Sequence, residues 1–316
     1  MISLTIAIPT YNRKAKVEKL LNILTKQISN LNTPNLITIL VSNNNSDDGT
    51  DEFLKNFTQN AFEFKYINQE KNLGFDGNIK FLYDNSDSDY IWFHSDDDIP
   101  LEGSLVRLLD VLNDKTPQLI LFSFQQPINS PSTQFNFTAK VHQIIEPKEI
   151  IKNIWSAQKI STWIIKKVVF NTYYTDILNQ HFWPSGYFFM SIAFTTFQSS
   201  NGILCIISDQ LISCDADYNK FFFDPKIFLS STKVLNHPYI LLNYPSFLNF
   251  HQNEMEVTYI RFLYQIVVKK YFISSEGSSE SYKEELKKIK FTRFITKKKF
   301  KIFLQYLIIK LKLCFV

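Results

Sequence analysis

Tyr90-Ile91-Trp92-Phe93-His94-Ser95-Asp96-Asp97-Asp98 sets four bulky apolar residues almost directly against three consecutive carboxylates. The apolar run predicts a strand buried on both faces, as found inside a parallel sheet. Three adjacent Asp at the mouth of such a strand repel one another and lose hydration, so a cation is a fitting partner. Hard oxygen ligands suit Mg2+ or Mn2+, which bind through one or two carboxylates and leave other positions to water and phosphate oxygens. The stretch reads as a metal-diphosphate site, against a plainer reading as a solvated acidic turn.

The surrounding pattern favours the site. Residues 4–8 form a short apolar and β-branched run ended by Pro9-Thr10, a buried strand entering a loop. Val17, Leu20, Leu21 and Leu24 follow at helical spacing, and residues 36–41 are a second buried strand. Strand, helix, strand predicts a right-handed βαβ unit on a parallel sheet. A helical pattern through Phe53, Leu54 and Phe57 starts after Asp47 or Asp48, and residues 64–67 read as a third strand. Ile79, Leu82 and Tyr83 mark another helix leading into the strand at 90–93. The carboxylates thus fall at a strand's C-terminal end, where open α/β sheets place their ligands. Further on, residues 105–112 predict a helix, 119–124 a strand, 127–138 a surface loop and 160–170 a strand and turn. Residues 182–197 carry enough aromatics for a buried helix or an acceptor-binding wall, and Ser-rich 274–281 predicts a flexible linker.

With 316 residues, 45% of them hydrophobic, the chain can bury a large core, which excludes a wholly disordered protein. Cys205, Cys214 and Cys314 are odd in number and lack C-x-x-C spacing, so neither a disulfide framework nor a zinc site is expected. A reducing cytoplasm fits this cysteine usage. The N-terminus lacks a basic segment followed by a long apolar core, so export is not expected. No stretch of about 18 uncharged apolar residues occurs, which predicts peripheral contact with a membrane at most. Residues 287–316 hold ten Lys or Arg and no acid; removing those ten charges from the overall +4 leaves −6 for the rest.

Four segments, taken in order, resemble family 2 glycosyltransferases of the GT-A fold, especially bacterial abequosyltransferase-like O-antigen and capsule sugar transferases. They are residues 5–13 (TIAIPTYNR), 41–50 (VSNNNSDDGT), 72–78 (NLGFDGN) and 90–100 (YIWFHSDDDIP). The resemblance implies an α/β, Rossmann-like, mostly parallel sheet flanked by helices, followed by a C-terminal acceptor region, to which the residue pattern adds a basic amphipathic tail. It divides the chain into a nucleotide-sugar half over 1–125, an acceptor and catalytic half over 126–273, and a linker and tail over 274–316. It implies a nucleotide-diphosphate sugar donor. Pro9, Thr10, Tyr11, Asn12 and Arg13 would close the first strand over base and ribose. Asn43 stands where relatives usually carry Asp; its amide both accepts and donates, which alters base preference. Asn44 is placed either on the donor or in a turn. Gly74 and Asn78 resemble a turn and helix start beside ribose and phosphates, with Asn78 alternatively a helix cap. Asp97 is the expected metal ligand, Asp98 a second ligand or its support, and Asp96 faces ribose or metal-bound water. The cofactor implied is Mn2+ or Mg2+.

An inverting transferase of this family usually takes its base from an acidic residue in the second half, and the matching stretch here, 180–187, lacks the acidic pair. Asp176 and His181 are the nearest candidates, with Asp176 alternatively a helix cap. The tail alternates Lys clusters with Phe, Ile and Leu. It predicts an amphipathic helix on an anionic membrane surface, or a terminal helix packed on the body. Its apolar residues are bulkier than phosphate binding requires, so no nucleic acid is expected as partner. The leading expectation is a metal-dependent enzyme at the cytoplasmic face of the inner membrane, adding a sugar to a saccharide or lipid-linked saccharide acceptor. The alternative is a non-catalytic sugar-nucleotide-binding scaffold of a polysaccharide assembly complex.

Overall fold

β1 (Leu4–Thr10) pairs in parallel with β2 (Ile37–Asn43) on one side and with β4 (Tyr90–Phe93) on the other, and β3 (Glu63–Asn68) continues from β2. The computed structural model describes residues 2–125, 142–144, 146–157, 159–168, 170, 172–180, 188–200, 202–214, 237–247 and 309. β1 and β4 are buried at every position, as continuous apolar runs must be where helices cover both faces. The connecting helices are α1 (Lys14–Ser29), α2 (Thr50–Asn56) and α3 (Gly74–Asp84). α1 turns Val17, Leu20, Leu21, Leu24 and Ile28 inward, one apolar stripe at 3.6-residue period. Each of its fully buried Leu side chains contributes about 1.5–3 kcal/mol.

Beyond β4 the sheet becomes mixed. β8 (Trp163–Lys166) runs antiparallel to β4, and β6 (Leu119–Gln125) antiparallel to β8. β9 (Leu204–Cys214) lies parallel to β6, while β5 (Asp98–Pro100) and β7 (His142–Ile144) pair antiparallel with β9. The order is β3-β2-β1-β4-β8-β6-β9-β5, with β7 beside β9. One sheet therefore runs across residue 125. α4 (Ser104–Lys115), α5 (Pro147–Ser156), α6 (Thr172–Gln180) and α7 (Phe188–Ser199) complete this unit, which comprises residues 1–182 and 188–216.

α7 decides between the two readings of the aromatic stretch. Phe188 through Phe197 are buried, and Trp163 stands edge-on to Phe189 with ring centroids 4.9 Å apart. Phe188 and Phe189 are core residues, while Trp183 and Tyr187 lie outside the described residues. In the second unit, residues 183–187 and 217–316, α8 (Pro238–Asn243) starts at Pro238 and is capped by His237 Nδ1, which accepts from Tyr239 N at 3.2 Å. The linker and basic tail lie outside the described residues, apart from Ile309.

Candidate functional site

The C-terminal ends of the parallel strands determine what can meet here. His94 N extends the β4 ladder to Ala7 O at 2.9 Å, and Asp98 N then bonds Ser95 O at 3.3 Å, folding residues 95–98 into a tight turn. Asp96 and Asp97 occupy its tip, while Asp98 already belongs to β5 and is fully buried. The three carboxylates are thus divided between two environments. His94 packs against Trp92, with ring centroids 4.7 Å apart, and its Nδ1 lies 2.8 Å from Ser95 O; burial pushes its pKa down.

A cavity of about 490 Å³ opens at this tip, a size suited to a nucleotide or small ligand. Asp96, Asp97 and Ser95 form one wall, and Pro9, Thr10, Tyr11 and Arg13 another. Thr10 Oγ1 donates to Asp96 Oδ2 at 2.8 Å, and Arg13 Nη1 reaches Asp96 Oδ1 at 2.9 Å and Asp97 Oδ2 at 3.0 Å. Lys16 Nζ stands 3.9 Å from Asp97 Oδ2, and the Ser95 hydroxyl donates to Asp97 Oδ1. Burial raises the Asp96 pKa to about 6 despite Arg13 and Thr10. At Asp97 burial acts the same way but is outweighed by the Ser95 hydroxyl and by Arg13, Lys159 and Lys16, which hold it below the usual carboxylate range.

The third wall comes from the loop into α3. Asn44 clamps it: Oδ1 accepts from Leu73 N at 2.8 Å, and Nδ2 donates to Asn72 Oδ1 at 2.8 Å and Gly74 O at 3.3 Å. Gly74 has φ +71°, a left-handed backbone that glycine adopts without strain. Asn78 lies inside α3, so it is not a cap; its Nδ2 donates to Ser42 O at 3.1 Å, tying α3 to β2. Asn78 Oδ1 is buried, has no hydrogen-bond partner among the described residues and belongs to a residue of the cavity wall. An unpaired buried acceptor costs about 1–3 kcal/mol, which a ligand donor would relieve.

Pro9, Thr10, Tyr11, Arg13, Asn44, Gly74, Asn78, Asp96 and Asp97 meet at this cavity, while Asn12, Asn43 and Asp98 are not among the residues that line it. Asn12 spends its side chain on the neighbouring loop, its Oδ1 accepting from Asp47 N at 3.0 Å. Asn43 is fully buried, donating to Asn68 Oδ1 at 2.8 Å and accepting from Ser46 Oγ. Asp98 Oδ1 lies 3.0 Å from Lys159 Nζ, and its Oδ2 accepts from the Ser161 hydroxyl. Asp176 sits exposed in the middle of α6, neither capping that helix nor lining the cavity. His181 lies outside the described residues. Sequence reasoning missed Lys159, which borders the cavity beside Ser95 and Asp97. Burial lowers its pKa, but Asp98, Cys214 and Asp97 together more than compensate and the ammonium is held above its ordinary value. Arg13, Lys16 and Lys159 therefore face the three carboxylates, so the protein itself supplies much of the positive charge that the acidic run demands.

Residues 5–170 match the family model described as glycosyl transferase family 2, more than half of the chain. This chain belongs to family 2 of the glycosyltransferases. Over 114 residues, 35% of the chain, this family 2 glycosyltransferase is 36% identical to the abequosyltransferase RfbV of Salmonella typhimurium, covering 33% of that protein. Over 115 residues, 36% of the chain, it is 32% identical to the GalNAc(5)-diNAcBac-PP-undecaprenol beta-1,3-glucosyltransferase of Campylobacter jejuni, covering 36% of it. The matched stretches thus span about a third of each relative. Among solved structures, S. aureus TarS residues 1–349 in complex with UDP-GlcNAc superposes with a TM-score of 0.61 at 13% identity, covering 92% of this chain and 83% of that one. The UDP complex of the same protein gives 0.57 at 14% identity, covering 98% and 88%. The fold is GT-A-like, as the four sequence segments imply.

Proposed function

We propose that the protein is a metal-dependent, inverting glycosyltransferase that moves a sugar from a nucleotide-diphosphate donor to a glycan or lipid-linked glycan acceptor in cell-surface polysaccharide or lipooligosaccharide synthesis. The observation that carries this reading is one cavity bounded by the Asp96-Asp97 turn, the β1 end and the start of α3, with the buried Asn78 acceptor unpaired in its wall. The N-terminal end of a helix favours phosphate oxygens, and Gly74 leaves the backbone open to close approach. Tyr11, about half exposed, offers a ring face to the donor's base.

Asp97 fits a metal: it is about one-fifth exposed at the cavity and held in its charged form. Among the described residues no group of three or more His, Cys, Asp or Glu is placed to hold an ion; Asp97 is the carboxylate that would hold Mg2+ or Mn2+, ions that bind proteins through one or two carboxylates. When bound, such an ion neutralises the departing diphosphate. Arg13 would release Asp97 to it while keeping Asp96, and Asp96 would face the ribose. The acceptor hydroxyl adds to the anomeric carbon as the bond to the phosphate oxygen breaks, the electron pair leaving with the diphosphate and the hydroxyl proton going to a base. The acceptor half, 126–273, supplies the other side of the reaction in this reading, and the basic tail over 274–316 lies on the anionic cytoplasmic membrane surface where lipid-linked acceptors reside. The names of the two bacterial relatives, one acting on an undecaprenol-linked sugar, support that assignment.

Turnover of a panel of UDP-, GDP-, dTDP- and CDP-sugars with Mn2+ or Mg2+ tests this. One donor is expected to be consumed in a metal-dependent way, with Asp97→Asn lowering the rate by about 100-fold or more, equivalent to about 2.7 kcal/mol of barrier. Full turnover by Asp97→Asn contradicts the assignment. Nucleotide binding with no transfer to any acceptor glycan supports the scaffold instead.

A further inference from the structure

Lys159 is a cation built into the cavity wall by residues that do not line it. It stands just before the 3₁₀ turn Ile160–Thr162 that leads into β8, and β8 runs antiparallel to β4 with Trp163 opposite Phe93. That register brings the start of β8 to the end of β4, where the carboxylate turn lies. Lys159 Nζ is 3.0 Å from Asp98 Oδ1, and the Ser161 hydroxyl donates to Asp98 Oδ2 while its oxygen accepts from Ser95 N at 2.9 Å. Asp98 is fully buried, whereas the Lys159 side chain keeps about a third of its surface exposed and borders the cavity.

A buried carboxylate is costly unless paired and hydrogen-bonded, so Asp98 is expensive to keep as an ornament. Its geometry suits a different task. Asp98 holds the ammonium as an ion pair at 3.0 Å, and Lys159 stays at the cavity wall. Asp96 and Asp97 form ion pairs with Arg13 and Lys16, and Lys159 adds positive charge that helps hold Asp97 ionised. A nucleoside diphosphate brings two to three further negative charges into the same cavity, and Lys159 stands on the side of the carboxylates opposite to Arg13 in the chain's topology. We propose that Lys159 binds the diphosphate of the donor and stabilises it as it departs, with Asp98 as the residue that positions Lys159 rather than as a metal ligand. This inference rests on the donor reading above.

The test compares the best-bound of UDP, GDP, CDP and dTDP with its own nucleoside by calorimetry, in EDTA and in Mg2+. Lys159→Met is expected to raise the Kd of the diphosphate about tenfold and leave the nucleoside's Kd unchanged. Asp98→Asn should weaken the diphosphate about threefold, again sparing the nucleoside. The double variant Lys159→Met/Asp98→Asn removes both charges, so neither is left buried and unpaired; it should match Lys159→Met alone, because Asp98 acts through Lys159. Equal losses for nucleoside and diphosphate would mean a merely structural role, and unchanged affinities or additive effects in the double variant also overturn the proposal. If the intact chain binds none of the four diphosphates, the donor reading fails first and this one falls with it. If binding is intact and only the variant pattern fails, this inference alone is lost.

Discussion

Asp96 and Asp97 are neighbours with opposite electrostatic fates. Asp96 is almost wholly buried, and desolvation raises its pKa to about 6, while Asp97 is held low. A carboxylate whose folded pKa lies above its unfolded value of about 3.9 contributes stability below the unfolded pKa and loses it as pH rises through the folded one. In metal-free protein the stability of the intact chain relative to Asp96→Asn is therefore expected to fall between pH 4 and pH 6 by up to about 3 kcal/mol, then level off. Denaturant titrations of both proteins at pH 4, 5, 6 and 7 in EDTA read this directly, and a pH-independent difference contradicts it. The residue scale also shows where sequence reading stops. The acidic run names its carboxylates, and the register that sends Asp98 into β5 depends on a three-residue strand pairing with β9, over 100 positions away. Lys159 is invisible for the same reason: nothing in its neighbours reveals that β8 is antiparallel to β4 and so delivers it to the site.

At the scale of elements, apolar pattern suffices where a segment is buried continuously or at helical period. The strand expected at 90–93 is β4 as found, and the stripe expected on the first helix is the buried face of α1. β5 and β7 are too short to carry a pattern, and β9 has a bulge between the partners of Phe122 and Ser123 that breaks its alternation. The loop into α3 depends on backbone as much as on side chains. Gly74 sits at φ +71° with no atom within 4 Å of where a Cβ would stand, so the strain of Gly74→Ala is conformational and not steric. That substitution is expected to cost about 1 kcal/mol in stability and to weaken nucleoside diphosphate binding, because Asn44 and Asn72 anchor the loop in that conformation. Denaturation and calorimetry on the one variant check both effects; unchanged affinity would remove this loop from the donor site.

For the molecule as a whole, the parallel half of the sheet places its strand ends where an open α/β fold binds ligands, and the four family segments converge there from residues 5–13, 41–50, 72–78 and 90–100. Their convergence was readable because each follows a strand that the pattern reveals. The second half reads poorly because its sheet mixes parallel and antiparallel pairs and its helix α7 is buried on all sides, leaving no periodic face to orient it. Among the described residues no helix is long and apolar enough to cross a membrane. The central claim is that the cavity at the Asp96-Asp97 turn receives a nucleoside diphosphate. A crystal structure of the chain with its best-bound nucleoside diphosphate and Mg2+ tests it most directly. The diphosphate is expected between Asp97, Lys159 and the start of α3, with Asn78 Oδ1 accepting a hydrogen bond; nucleotide bound elsewhere, with that acceptor still unpaired, would overturn the assignment.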